Sequence, residues 1–226
     1  MKKIFLFILM IAGIGFCQSF KVDKVTGTVK VLDSNDNWTE VKEGTTIPSN
    51  SILVADKKSS VKISGEGINF ILKESSAIPV SSIKKMTIDQ LLLALAMEDM
   101  INAPRKKEND NGKSTAVYGS KEGGNESDIT GPDDFGIRRI NGAVQLAENG
   151  LKESAIVTAK ETFRKYPSTK AMANYRIYFA DLLYDLGLNE EALDEFNSIK
   201  GLKLSDKEKT EVAEKLSQLN RKMVNK

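Results

Sequence analysis

Thr87-Ile88-Asp89-Gln90-Leu91-Leu92-Leu93-Ala94-Leu95-Ala96-Met97 divides the chain. The Thr87 hydroxyl is placed to accept an early helix N–H, and Gln90, three residues on, can reach back to the Thr87 N–H. An apolar helical segment over 87–103 follows, with Leu91 to Ile101 as its body and Pro104 as its stop. From Leu91 to Met97 it is apolar all round, which predicts a helix sandwiched against protein. Its body is too short to cross a bilayer.

Upstream, over 18–83, the pattern is that of strands. Val25, Gly27, Val29 and Val31 fall on one face of an expected strand, with Thr26, Thr28 and Lys30 on the other. Asp33 to Asn37 is a turn cluster, and Trp38 and Val41 open a second short strand. Ile52 and Val54, Val61 and Ile63, and Ile68, Phe70 and Leu72 continue the alternation, with Gly65 and Gly67 marking a tight connection. Short strands at this spacing predict a small antiparallel β-sandwich or roll.

Downstream, residues 104–135 are polar and rich in glycine, which predicts a flexible linker. Cleavage there is expected to release a β-rich fragment and a helical one. From Gly136 the period becomes helical, with segments Ile137–Glu148, Leu151–Tyr166, Ser168–Leu186, Asn189–Ile199 and Ser205–Met223. Ser205 and Glu208 form a second capping box, and the short loops require antiparallel neighbours. The fold class is therefore α+β and multi-domain, a β-sandwich or roll followed by an antiparallel helical array over 136–226.

Ala143, Leu146, Gly150, Ala155 and Ala159 recur at an offset of 37 as Ala180, Leu183, Gly187, Ala192 and Phe196. This pattern resembles the tetratricopeptide repeat, with 205–223 as its capping helix, although Arg139 and Arg176 stand where that family often has an aromatic. The resemblance implies protein binding, with the first helix of each unit lining a concave groove. Ile140, Val144 and Ala147 would line it in the first unit, and Asn174, Ile177, Asp181, Tyr184 and Asp185 in the second. Tyr184 with two acids one turn apart suits a basic or helical peptide.

Gly27-Thr28-Val29, Trp38, Val41-Lys42-Glu43-Gly44, Ile52-Leu53 and Ser60-Val61-Lys62-Ile63 resemble FecR-like domains, which are β-rich and periplasmic. Ser114 to Gly119 is similar to the strand that often closes such a domain. The family's link to signalling is not carried over, because a signalling protein would need a membrane anchor and a cytoplasmic segment.

Lys2 and Lys3 followed by apolar Ile4 to Phe16 read as a signal peptide over 1–17. Cleavage after Cys17 would make the protein periplasmic or secreted, with a lipid anchor on Cys17 as the alternative. Removal takes two of 33 basic residues and leaves 31 against 31 acidic, so no overall field attracts nucleic acid. No transmembrane span is expected after signal removal.

The chain has no histidine, which excludes imidazole catalysis and His-ligated zinc, and one cysteine excludes a disulfide framework. Gly112-Lys113-Ser114 lacks the first glycine of a phosphate loop, and Asp33, Asn35 and Asn37 lack the rest of a calcium loop. The paired carboxylates read as solvated helix faces and termini. No catalytic, cofactor-binding or metal-binding residue is expected. The reading is a non-enzymatic envelope scaffold that binds a protein or peptide; the alternative is a carbohydrate- or peptidoglycan-binding module using Trp38 and Asn37 as a stacking surface.

Overall fold

A computed structural model describes residues 19–102 and 131–224. The expected signal peptide with Cys17, the 114–119 strand and most of the expected linker lie outside the described residues.

Two four-stranded antiparallel sheets form the N-terminal half. The strands are β1 (Ser19–Thr26), β2 (Val29–Leu32), β3 (Trp38–Glu40), β4 (Thr46–Pro48), β5 (Ile52–Ala55), β6 (Ser60–Gly65), β7 (Ile68–Leu72) and β8 (Ser76–Pro79). One sheet runs β4-β1-β6-β7 and the other β3-β2-β5-β8. Alternation is clearest in β7, where Ile68, Phe70 and Leu72 are buried and the residues between them are exposed. The β6–β7 hairpin turns on Glu66 and Gly67, both at positive φ, which suits the twist of the flanking strands.

The strand expected over residues 25–31 is two strands in different sheets. The chain changes sheets at Gly27, where φ is +71° and a Cβ would come within 2.9 Å of the Lys58 carbonyl oxygen. Only glycine combines that dihedral with that approach. Across the corner, the Thr28 N–H donates to Ser59 Oγ at 2.9 Å.

The helices are α1 (Ile88–Asn102), α2 (Gly131–Glu148), α3 (Lys152–Lys165), α4 (Pro167–Lys170), α5 (Ala173–Asp185), α6 (Asn189–Ile199) and α7 (Asp206–Val224). Both capping boxes form: Gln90 N donates to Thr87 Oγ1 and Thr87 N to Gln90 Oε1, and Ser205 and Glu208 exchange the same pair. None of the helices is long and apolar enough, among the described residues, to cross a membrane. Residues 131–135, expected in the linker, are helical. A proline and two aspartates in that first turn explain it, since the turn needs no N–H from proline and favours negative charge. The segment expected as one helix over 168–186 is broken into α4 and α5. After α2 and after α5, Gly150 and Gly187 take φ of +81° and +78°, and the next leucine donates back to Leu146 and Leu183 respectively. The two halves of the 37-residue offset thus share one turn geometry.

The sandwich and the helices share one core. Helix α2 lies along β8, with Ile140, Ala143 and Leu146 fully buried. Gly142 makes this approach possible, because a Cβ there would sit 2.9 Å from the Ala77 carbonyl carbon and closer still to its oxygen. Polar ties flank the contact. Arg138 Nη1 donates to Asp56 Oδ1 at 2.8 Å, and Asn141 Nδ2 donates to the Ser75 carbonyl at 2.9 Å. Asn149 bonds both sides of Ile71: its Oδ1 accepts the Ile71 N–H at 3.0 Å and its Nδ2 donates to the Ile71 carbonyl at 3.1 Å. The sandwich and the helical array therefore meet in one core, and the expected release of two separate fragments runs against this joint.

Candidate functional site

The expected groove on α5 is occupied from within the chain. Ile177 is 5% exposed and belongs to the core, which corrects its placement on a docking surface. It sits one turn before Asp181 on a helix that packs against α3, α6 and α7, which leaves that side covered. Asp181 pairs with Lys215 of α7 at 2.6 Å, and Asp185 pairs with Lys152 of α3 at 3.5 Å. The Lys215 and Lys222 ammonium groups stand 5.0 and 3.8 Å from the centroid of the Tyr184 ring, where its quadrupole attracts them. Burial works to lower the Lys215 pKa, but Asp181, Asp185 and Tyr184 outweigh it and hold it above the ordinary value. Asn174 is exposed, and its side chain has no hydrogen bond among the described residues. In the first unit, Ile140 and Ala147 are buried and Val144 packs against the core, so the face expected to be concave is covered.

Trp38 and Asn37, the residues of the alternative reading, lie at the start of edge strand β3. Among the described residues strand β3 pairs with β2 on one side only, and Trp38 is 38% exposed. Asn37 is exposed, and its N–H donates to Asp33 Oδ1 at 2.9 Å, as does that of Asn35 at 2.8 Å. Those backbone bonds hold the Asp33 carboxyl below its ordinary pKa. The alternating acids and amides therefore build an Asx-type turn. Among the described residues no group of three or more histidine, cysteine, aspartate or glutamate side chains could hold a metal.

A cleft of about 460 Å³ opens between α1, α3, α5 and α6, with Lys170 of α4 at its rim, residues that sequence reasoning did not bring together. Leu95, Phe163 and Leu183 supply its apolar lining. At one side Glu195, buried on α6, takes Arg176 Nε on one oxygen and Lys160 Nζ at 2.5 Å on the other. Arg176 also donates to Ser198 Oγ at 3.0 Å, and its guanidinium lies 5.8 Å from the centroid of the Phe163 ring. Burial tends to raise the Glu195 pKa, but Lys160 and Arg176 overcome it and the carboxyl is held low. Arg164 of α3 grips Glu98 of α1 through two nitrogens, at 2.8 and 3.4 Å, and this pairing raises the arginine pKa. Thirty-seven residues before Arg176, Arg139 is equally buried, but Thr158 stands in the sequence at the position offset from Glu195. Among the described residues its nearest acid is Glu161 at 4.0 Å and its Nε and Nη2 have no hydrogen-bond partner, and burial lowers its pKa.

Helix α1 forms one wall of this cleft and departs from the sandwiched helix expected. Leu91 and Leu95 are buried in the shared core, on the side of α1 that packs against α3. On the opposite side Leu93 is 63% exposed, Met97 55%, Met100 77% and Ile101 60%. The all-apolar pattern hid this division, because a helix with apolar residues everywhere carries no sequence signal for which side is covered. No protein-family model, curated protein or solved structure matches the chain.

Proposed function

We propose that this is an exported, non-enzymatic envelope protein that acts as an interaction scaffold, with α1 presenting the docking face. The observation that carries the reading is the exposed apolar row Leu93, Met97, Met100 and Ile101 on a helix whose other side is anchored in the core. A patch of this kind, on the order of 400 Å², is the size at which exposed apolar surface on a monomer tends to mark a binding site. The buried charges along the cleft are paired with one another, which supports a rigid frame for docking more than a reactive centre. Replacing Met97 and Met100 with serine should abolish recovery of envelope partners after in-cell cross-linking while the melting temperature stays within about 2 °C. Unchanged recovery refutes the reading. Export itself is tested by intact mass: a mature chain beginning near Gln18 supports ordinary cleavage, and a diacylglyceryl adduct on Cys17 would replace it with a lipid anchor.

A second reading, binding of carbohydrate or peptidoglycan, is favoured by the exposure of Trp38 on its open edge strand. Sedimentation with purified cell wall that Trp38→Ala abolishes would establish it, and equal sedimentation of both proteins would remove it.

A further inference from the structure

The surroundings of the α1 face define the chemistry of what would cover it, and this step rests on the docking reading above. Helices α1 and α6, which face each other across the cleft, carry seven carboxylates and no basic residue. Among the described residues, only Glu98 and Glu195 of these are held in ion pairs. Asp89, Asp99, Glu190, Glu191 and Asp194 have no cation partner among the described residues, and Asp99, Glu191 and Asp194 line the cleft. Against them stands Lys170, the one cation of the lining outside an ion pair among the described residues. At 100° per residue, Leu93, Met97 and Met100 lie opposite Leu91 and Leu95, and Asp99 falls on the flank between that row and the cleft. An apolar stripe is thus bordered on one side by unneutralised acid.

We propose that this surface receives a basic amphipathic helix from another protein, its apolar side on Leu93, Met97, Met100 and Ile101 and its lysines or arginines toward Asp99, Glu191 and Asp194. The chain already contains one such arrangement. Helix α7 buries Val212, Leu216 and Leu219 while Lys215 and Lys222 meet Asp181 and the Tyr184 ring. A second copy is disfavoured, because pairing α1 with itself sets acid against acid. The exposed row also falls short of the roughly 800 Å² per partner of a stable interface. An anionic bilayer is disfavoured by the same charges.

Two synthetic amphipathic helical peptides test this on the full exported chain, sharing one leucine stripe and carrying either lysine or glutamate on the polar side. Fluorescence anisotropy should show the lysine peptide binding at least about tenfold tighter, with the preference shrinking as salt rises. Met97→Glu with Met100→Glu should remove binding, and Asp99→Lys with Asp194→Lys should reverse the preference. The peptide contrast is made on the unmutated chain and does not depend on any variant folding. Equal binding of both peptides overturns the basic partner and leaves the docking face standing. Binding of neither overturns both. A dimer in sedimentation velocity that Met97→Glu dissolves makes a second copy the occupant, and co-flotation with phosphatidylglycerol vesicles makes it a membrane; either overturns the proposal.

Discussion

Gly142→Ala separates helix propensity from packing. In an exposed helix interior, alanine in place of glycine stabilises by about 1 kcal/mol. At 142 the new methyl group would stand 2.9 Å from the Ala77 carbonyl carbon and nearer to its oxygen, against a normal separation of about 3.5 Å. The obstacle is backbone of the second sheet, so α2 has to move away from β8. That movement loosens Ile140, Ala143 and Leu146 and stretches the Asn141–Ser75 and Arg138–Asp56 bonds. Overpacking of this kind costs about 1–3 kcal/mol, and each weakened hydrogen bond about 1 kcal/mol. After subtracting the propensity gain, the expected net loss is about 2–4 kcal/mol. For a domain of this size that corresponds to a fall in Tm of roughly 5–12 °C. Urea titration followed by far-UV circular dichroism measures it. A variant as stable as the parent, or more so, would show that α2 does not seat on β8 at this distance.

The two offset arginines should answer differently to the same change. Arg139→Leu removes a buried cation with unpartnered nitrogens and should be neutral or stabilising by about 1 kcal/mol, whereas Arg176→Leu strips Glu195 of a buried partner and should cost about 2–4 kcal/mol; equal losses in denaturant titrations would contradict the difference in pairing. Because the folded Glu195 pKa is depressed below 4.5, its contribution is fully present above that value and fades as pH falls through the lower folded one. Glu195→Gln should therefore flatten the acid limb of the stability curve below about pH 5, and an unaltered limb would place the titration elsewhere. A protease site inserted between Asn111 and Gly112 should yield two fragments that co-elute in size exclusion; separate elution would mean that the core across α2 and β8 does not hold them.

The legible parts of the fold were those whose signal is local. Ile68, Phe70 and Leu72 announce β7 because one side of that strand is buried and the other wet. Thr87 with Gln90, and Ser205 with Glu208, mark helix starts because both halves of each cap lie within four residues. Strands β4 and β8 escaped notice, being three and four residues long with proline at the end and little alternation. The sheet change at Gly27 was invisible because Val25, Val29 and Val31 keep the period of a single strand across it. The site suffered most. Asp181 and Tyr184 have the chemistry of a docking surface, and their lysine partners arrive on α7, which sequence reasoning had identified only as a cap. The cleft draws residues from five helices, and no spacing within any one of them encodes that meeting.

Asn149 sets an order of events in biogenesis. Its amide occupies the outer edge of β7 at Ile71, where a neighbouring strand would otherwise bond, and it does so from 78 residues downstream. A chain emerging N-terminus first, from a ribosome or a translocation channel, therefore presents β7 with an unguarded rim until residue 149 has followed. During that interval the rim is open to pairing with another nascent copy. A slow or stalled delivery of the second half would leave the β half capable of adhering to its siblings, and Asn149→Leu, which removes both bonds without blocking emergence, would make that vulnerability permanent.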